Sequence, residues 1–133
     1  EKGDPSPEFF AFIGGSQRYL PAVTVIMAPY VNSYRRLVRS SSAPVNVMWG
    51  YDNRTTGLRV PFSDPAGRRL ENRIPSSDAN PYLAIAASLA CGYLGMKNDL
   101  TVSEPAAGSA NDDEIELPRG LLEAVALFRP AGE

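Results

Sequence analysis

The chain has 133 residues, 44% of them hydrophobic, and a formal net charge of −2. That is enough for one soluble globular domain with a modest core. With no histidine and a single cysteine, Cys91, it excludes Ser-His and Cys-His hydrolase schemes and an internal disulfide.

The N-terminal "EKGDPSP" is polar and proline-bearing and reads as a frayed end. "EFFAFIGG" predicts a short apolar helix stopped by Gly14 and Gly15, and "SQRYLPAVTVIMAP" a second helix opened by Ser16 and ended before Pro29. "NSYRRLV" predicts a helical turn capped by Asn32, and "RSSSAP" a loop with extended backbone before Pro44. "VNVMWG", "TTGLRVP" and "RRLENRI" carry β-branched or alternating patterns, with turn signals "YDN" and "SDPAG" between them. They predict two or three short, mostly antiparallel strands.

"SDANPYLAIAASLACGYLGM" is the clearest helix signal, with Asn80 as cap, Pro81 at its first position and apolar residues nearly all round through Met96. A buried helix is expected. "TVSEPAAGSANDDEIE" reads as an acidic surface excursion, and "LPRGLLEAVALF" as a last helix beginning at Pro118. The apolar runs around 20–31 and 82–96 are too short or too mixed to span a bilayer, and the N-terminus lacks a secretion-signal pattern. The expectation is a cytoplasmic protein with no membrane partner.

Charge is concentrated in the middle. Residues 35–73 hold eight of the eleven arginines against three acids, Asp52, Asp64 and Glu71, while only two lysines occur in the chain. Arg used almost to the exclusion of Lys favours forked recognition of small anions over a diffuse coat for nucleic acid. If "RRLENR" is a strand, Arg69, Glu71 and Arg73 share one face. Such a row is either a surface salt-bridge ladder or a site for an anion and its counter-cation. A bend at Gly57 would let Arg54 and Arg59 converge on the same side. The adjacent glycines of "FIGGSQ" lack P-loop spacing and its trailing Lys, so any ATP must be held by side chains.

The segments "NSYRRLV", "APVNVMWGYDNRTTGLRVP", "RRLENRIPSSDANPYLAIAASLACGYLGM" and "LPRGLLEAV" resemble, in order and spacing, the later half of the glutamine synthetase catalytic domain, with a likeness to its γ-glutamylpolyamine synthetase branch. The resemblance implies an α+β fold of antiparallel strands covered by helices. It further implies a flexible end at 1–11, a partial catalytic domain at 12–128 and a truncated end at 129–133. The implied activity of the longer protein is ATP-dependent ligation of glutamate to ammonia through γ-glutamyl phosphate, with a polyamine or alkylamine as the alternative amine. A non-catalytic anion-binding or assembly protein with the same fold is a further alternative.

By the family pattern Arg36, Arg54 and Arg73 bind glutamate, and Arg54, Arg59 and Arg69 bind ATP. Arg54 also touches the transferring phosphate as a catalytic group, and Glu71 ligates Mg2+ or Mn2+. The family's other metal ligands are not in this chain, so the segment alone is expected to be inactive, and the whole protein a homo-oligomer. Where ammonia-using enzymes carry a loop glutamate just before "AP", this chain has Ser42, and Ala66 replaces a basic residue that helps hold ATP.

Overall fold

The computed structural model describes residues 3–38, 43–111 and 117–129. Helix α1 runs over Pro7–Tyr19, opened by Ser6, whose Oγ accepts the Phe9 N–H at 3.3 Å, with Pro7 at its first position. Residues 7–11, expected to belong to a flexible end, are therefore helical, and Phe9 and Phe10 pack on the core. Nor do Gly14 and Gly15 stop the helix. A Cβ on Gly15 would stand 2.4 Å from the Cys91 carbonyl oxygen and 2.5 Å from the Gly95 Cα, and one on Gly95 would stand 2.2 Å from the Ala11 carbonyl. Cys91 and Gly95 belong to helix α3, Pro81–Lys97. The glycines serve close approach of two backbones, which outweighs their low helix propensity.

After α1 the chain makes a 3-10 turn at Leu20–Val23, where Pro21 removes a donor, and a single helical turn α2 at Thr24–Met27. The expected second helix is thus broken into two short pieces. A further 3-10 turn, Val31–Arg35, is closed by Ser33 rather than Asn32, through Tyr30 N–H to Ser33 Oγ at 3.2 Å.

Strands β1 (Trp49–Tyr51), β2 (Leu58–Val60) and β3 (Glu71–Asn72) form one sheet in the order β1-β2-β3. β2 and β3 are antiparallel, with Arg59 opposite Glu71 and Leu58 opposite Asn72. β1 and β2 are parallel, with Trp49 opposite Leu58, against the expectation of a mostly antiparallel set. Parallel strands usually need a long crossover. Here Asp52, at φ 48°, turns the chain out of β1 into a compact loop that returns it beside the start of the same strand. The register is closed by Leu58 N–H to Met48 O at 3.0 Å and Asp52 N–H to Val60 O at 2.9 Å.

Ile13, Leu20, Met27, Trp49, Leu58 and Ile74 form the centre of the core between α1, α3 and the sheet. A smaller cluster of Tyr34, Leu37 and Ala124 lies under α4, Leu121–Phe128, which begins three residues after the expected Pro118. Helix α3 has the expected cap and first proline, its Asn80 Oδ1 accepting from Tyr82 N–H at 3.0 Å. It is not buried all round. Ala84, Ala87, Cys91 and Gly95 face inward, whereas Tyr82, Ile85, Leu89 and Tyr93 are more than half exposed. The small residues fit the close α1 contact, and only one face can make it.

Residues 99–111 are fastened to the sheet rather than forming a free excursion. Trp49 Nε1 donates to Ser103 O at 2.8 Å and Ala106 N–H donates to Trp49 O at 2.8 Å. The acidic run 112–116 lies outside the described residues. Among the described residues no helix is long and apolar enough to cross a membrane.

Two expectations follow from the helix pair. Gly15→Ala should lower stability by about 1–3 kcal/mol or more, because the methyl meets backbone on both sides. Gly108→Ala, with nothing within 4 Å of the added carbon, should stay within about 0.5 kcal/mol; denaturant unfolding of both variants gives the comparison. Burial of Cys91 pushes its thiol up to about 11. A thiol reagent at pH 8 should therefore modify it only on unfolding, and rapid labelling of the native protein would contradict the packing.

Candidate functional site

The antiparallel β2–β3 pair sets the geometry. Arg59 and Glu71, cross-strand partners, meet through Arg59 Nη1 to Glu71 Oε2 at 2.9 Å. The other Arg59 nitrogen, Nη2, bonds Asp52 Oδ1 at the end of β1. Arg69 approaches the second Glu71 oxygen from the rim, Nη2 to Oε1 at 3.5 Å. One third of Glu71 and over half of Arg69 are exposed, while Arg59 is 18% exposed. Part of the row is thus the ladder foreseen as one alternative. Of the three acids in the segment, two are spent on Arg59, and Asp64 caps the 3-10 turn Pro65–Gly67 through Gly67 N–H at 2.8 Å.

The other arginines are held differently. Arg73, one residue past β3, is anchored by its N–H to Gly57 O at 2.9 Å, and its guanidinium donates to the Thr56 carbonyl at 3.1 Å and to the Arg54 carbonyl. Arg36, just after the 3-10 turn Val31–Arg35, donates to the Ile74 carbonyl. Burial lowers the Arg36 pKa, with nearby Arg73 adding to the effect and Asp78 opposing it. Burial also lowers that of Arg73, with Arg59 and Arg54 adding to it and Glu71 opposing. These causes place Arg36, Arg54, Arg59 and Glu71 all within electrostatic reach of Arg73. Both arginines remain charged at neutral pH, so the shifts report crowding rather than loss of a proton.

Arg54 is exposed, and among the described residues its guanidinium makes no hydrogen bond or ion pair. Its position comes from the loop that carries it. Asn46, fully buried, donates through Nδ2 to Thr55 O at 3.0 Å and to Ala110 O at 2.8 Å, and accepts through Oδ1 from Met48 and Gly57 N–H, both at 3.1 Å. Thr56 Oγ1 contacts the Asn53 and Leu58 carbonyls at 2.9 and 2.8 Å, and Asn53 Nδ2 ties the loop to Gly108 O at 2.7 Å. Gly57 is required here, since a Cβ would lie 2.0 Å from Asn46 O.

All six arginine and glutamate positions read from the sequence therefore lie along one ledge formed by β2, β3, the 52–57 loop and the turn before Arg36. Two acids escaped that reading. Asp52 looked like part of a "YDN" turn, and only its pairing with Arg59 reveals more. Asp78 accepts from Ser33 Oγ at 3.2 Å and from Ser76 Oγ. Its carboxyl lies below the usual range, chiefly through the Ser76 hydrogen bond, with Arg36 a smaller cause. Among the described residues no group of three or more His, Cys, Asp or Glu side chains could hold a metal ion, so a cation at Glu71 would need ligands beyond these residues. The arrangement suits a polyanion that replaces the carboxylates around the guanidiniums.

Residues 1–131 match the model of the glutamine synthetase catalytic domain. The chain is 40% identical to a glutamate–isopropylamine ligase of Pseudomonas sp over 90% of its length, and 40% identical to the γ-glutamylethanolamide synthetase GlnA4 of Streptomyces coelicolor over 96%. These matches span 27% and 28% of those relatives' own length. It is also similar to a glutamine synthetase of Nostoc sp., 44% identical over 71% of the chain and 20% of that protein. A solved structure of GmaS without ligand superposes with a TM-score of 0.81 at 35% identity, covering 95% of this chain and 30% of that one.

The Asn46 carboxamide generates a prediction. Asn46→Ala leaves buried donors and acceptors of three segments unmatched and should destabilise by about 2–4 kcal/mol. Asn46→Asp loses both donors and buries a charge, so it should do no better. Equal stability of the three proteins in urea would show that the loop is held by something else.

Proposed function

The chain belongs to the glutamine synthetase catalytic-domain family, and on that premise we propose that the whole protein is an ATP-dependent glutamate–amine ligase whose amine is larger than ammonia. In that reaction the γ-carboxylate of glutamate takes the γ-phosphoryl group of ATP, releasing ADP. The amine nitrogen then attacks the acyl phosphate, losing a proton and expelling phosphate as the amide bond forms. Such chemistry asks the protein chiefly for positioning and neutralisation of charge.

The observation that carries the reading is the gathering of Arg36, Arg54 and Arg59 around Arg73, with Glu71 in the same cluster. On this reading Arg36 and Arg73 grip glutamate carboxylate oxygens, Arg54 reaches glutamate and the transferring phosphate, and Arg59 and Arg69 bind nucleotide phosphates. Glu71 contributes one oxygen ligand to Mg2+ or Mn2+, and the cation, when bound, supplies further neutralisation of the phosphates. The half-exposed Arg69 and the unengaged Arg54 side chain suit this, since neither must break a strong pair to meet a ligand.

The larger amine is supported by relatives over most of this chain that join glutamate to isopropylamine, ethanolamine or, in the γ-glutamylputrescine synthetase PuuA of Escherichia coli, putrescine, the last 36% identical over 85% of the chain. Ser42 supports it too, because a hydroxyl is smaller than a glutamate and no base at neutral pH; it lies outside the described residues. As in the family, the whole protein is proposed to be a homo-oligomer.

Two measurements test this reading on the full-length protein. Phosphate release with glutamate and ATP should be faster with ethylamine or putrescine than with ammonia; a strong preference for ammonia would return the protein to the glutamine-forming reaction. Arg54→Lys and Arg69→Lys should each lower turnover, Arg54→Lys by about 10²-fold, with the fold retained, because Lys keeps the charge and loses the fork. Unchanged rates in both would leave these arginines a structural role only.

A further inference from the structure

We propose that Asp52 is a positioning residue for Arg59, holding its guanidinium on the ledge when Glu71 turns from the arginine to a cation. The inference rests on the roles proposed above for Arg59 and Glu71 and goes beyond them, since Asp52 belongs to no role assigned so far. Arg59 is clamped from two sides, Nη1 by Glu71 at 2.9 Å and Nη2 by Asp52, while its Nε is buried without a hydrogen-bond partner. Those two carboxylates are its only ion-pair partners among the described residues. If Glu71 ligates a divalent cation, Arg59 loses one clamp and gains a repelling neighbour. Asp52 alone then stands against its displacement.

The backbone at Asp52 argues in the same direction. Its φ of 48° is left-handed, a region in which aspartate is among the few non-glycine residues that occur readily, and the turn brings the side chain back against β2. Asp52 N–H is bonded to Val60 O at 2.9 Å, directly beside the residue it pairs with. The carboxylate is thus fixed to β2 by backbone, independently of Glu71 on β3. The hydrogen bond that Arg59 donates to Asp52 is also the largest single cause raising the Arg59 pKa.

The test uses the full-length protein with Asp52→Asn, which tolerates the same φ, and Asp52→Gly, which relaxes it. Binding of a non-hydrolysable ATP analogue with Mg2+, and of Mn2+ alone, is measured by calorimetry without glutamate, alongside thermal unfolding. Removing a negative charge from a polyanion site should tighten nucleotide binding if only the overall field matters. Loss of positioning does the opposite, and about tenfold weaker binding of the analogue is expected in both variants, with Asp52→Gly no less stable than the wild type. Mn2+ binding should weaken as well, because Arg59 then clings to Glu71. Analogue affinity equal to or above wild type in the variants overturns the role of Asp52 and leaves the ligase reading standing. A wild-type protein that binds neither analogue nor Mn2+ overturns both.

Discussion

The buried carboxamide of Asn46 is the contact on which the ledge depends. A single side chain satisfies polar groups of residues 48, 55, 57 and 110, and with them it joins the approach to β1, the 52–57 loop and the segment returning from α3. Without it the buried Gly57 N–H and Ala110 carbonyl would lose this partner where water is excluded. The loop is therefore rigid although it has no regular structure. That rigidity lets β1 and β2 run parallel with only six residues between them, and it presents the Thr56 and Arg54 carbonyls where the Arg73 guanidinium meets them. The packing of α1 against α3 through Gly15 and Gly95 supports the other side of the same sheet.

Two kinds of acceptor divide the arginines. Arg36 and Arg73 donate to backbone carbonyls, which satisfy hydrogen bonds without cancelling charge. Arg59 donates to two carboxylates, which do both. Burial and neighbouring guanidiniums lower the pKa of both Arg36 and Arg73, with Asp78 opposing at the first and Glu71 at the second. The second arrangement is closer to self-sufficient, and it must be opened before Arg59 can serve an anion. Both occur within one cluster, so its parts respond differently to the same ligand.

Much of this was legible in the sequence, and the failures share a cause. The alternation in "RRLENR" placed Arg69 and Glu71 together, and Asn80 with Pro81 fixed the start of α3, because strand pleat and helix capping are local rules. Gly14 and Gly15 read as a stop because local propensity disfavours glycine in a helix, whereas the contacts that require them come from far along the chain, Leu100 and Thr101 at Gly14 and Cys91 and Gly95 at Gly15. Helix α3 read as buried because its composition is apolar all round. Composition does not say which side finds a neighbour, and Tyr82 is 84% exposed. The parallel pairing of β1 with β2 depends on the left-handed turn at Asp52 and the bonds of Asn46, neither of which has a sequence period. Asp52 itself was counted among the acids, but its part in the site becomes visible only once Val60 and Arg59 stand beside it.

The double pairing of Arg59 has a consequence for how a cation and a nucleotide would influence one another. Glu71 is shared between Arg59 and any cation it ligates, and Arg59 between Glu71 and any phosphate. A cation drawing Glu71 away leaves Arg59 with an open donor at Nη1, the group a phosphate oxygen needs. A phosphate drawing Arg59 away leaves Glu71 with an open oxygen, the group a cation needs. Each ligand relieves part of the work of opening the pair for the other, and because such coupling is reciprocal the two affinities must rise by the same factor. On the roles proposed for Arg59 and Glu71, the proposed anchoring by Asp52 would set how large that factor can be. Without a second anchor the released guanidinium would drift from the ledge, and the gain made by one ligand would not reach the next.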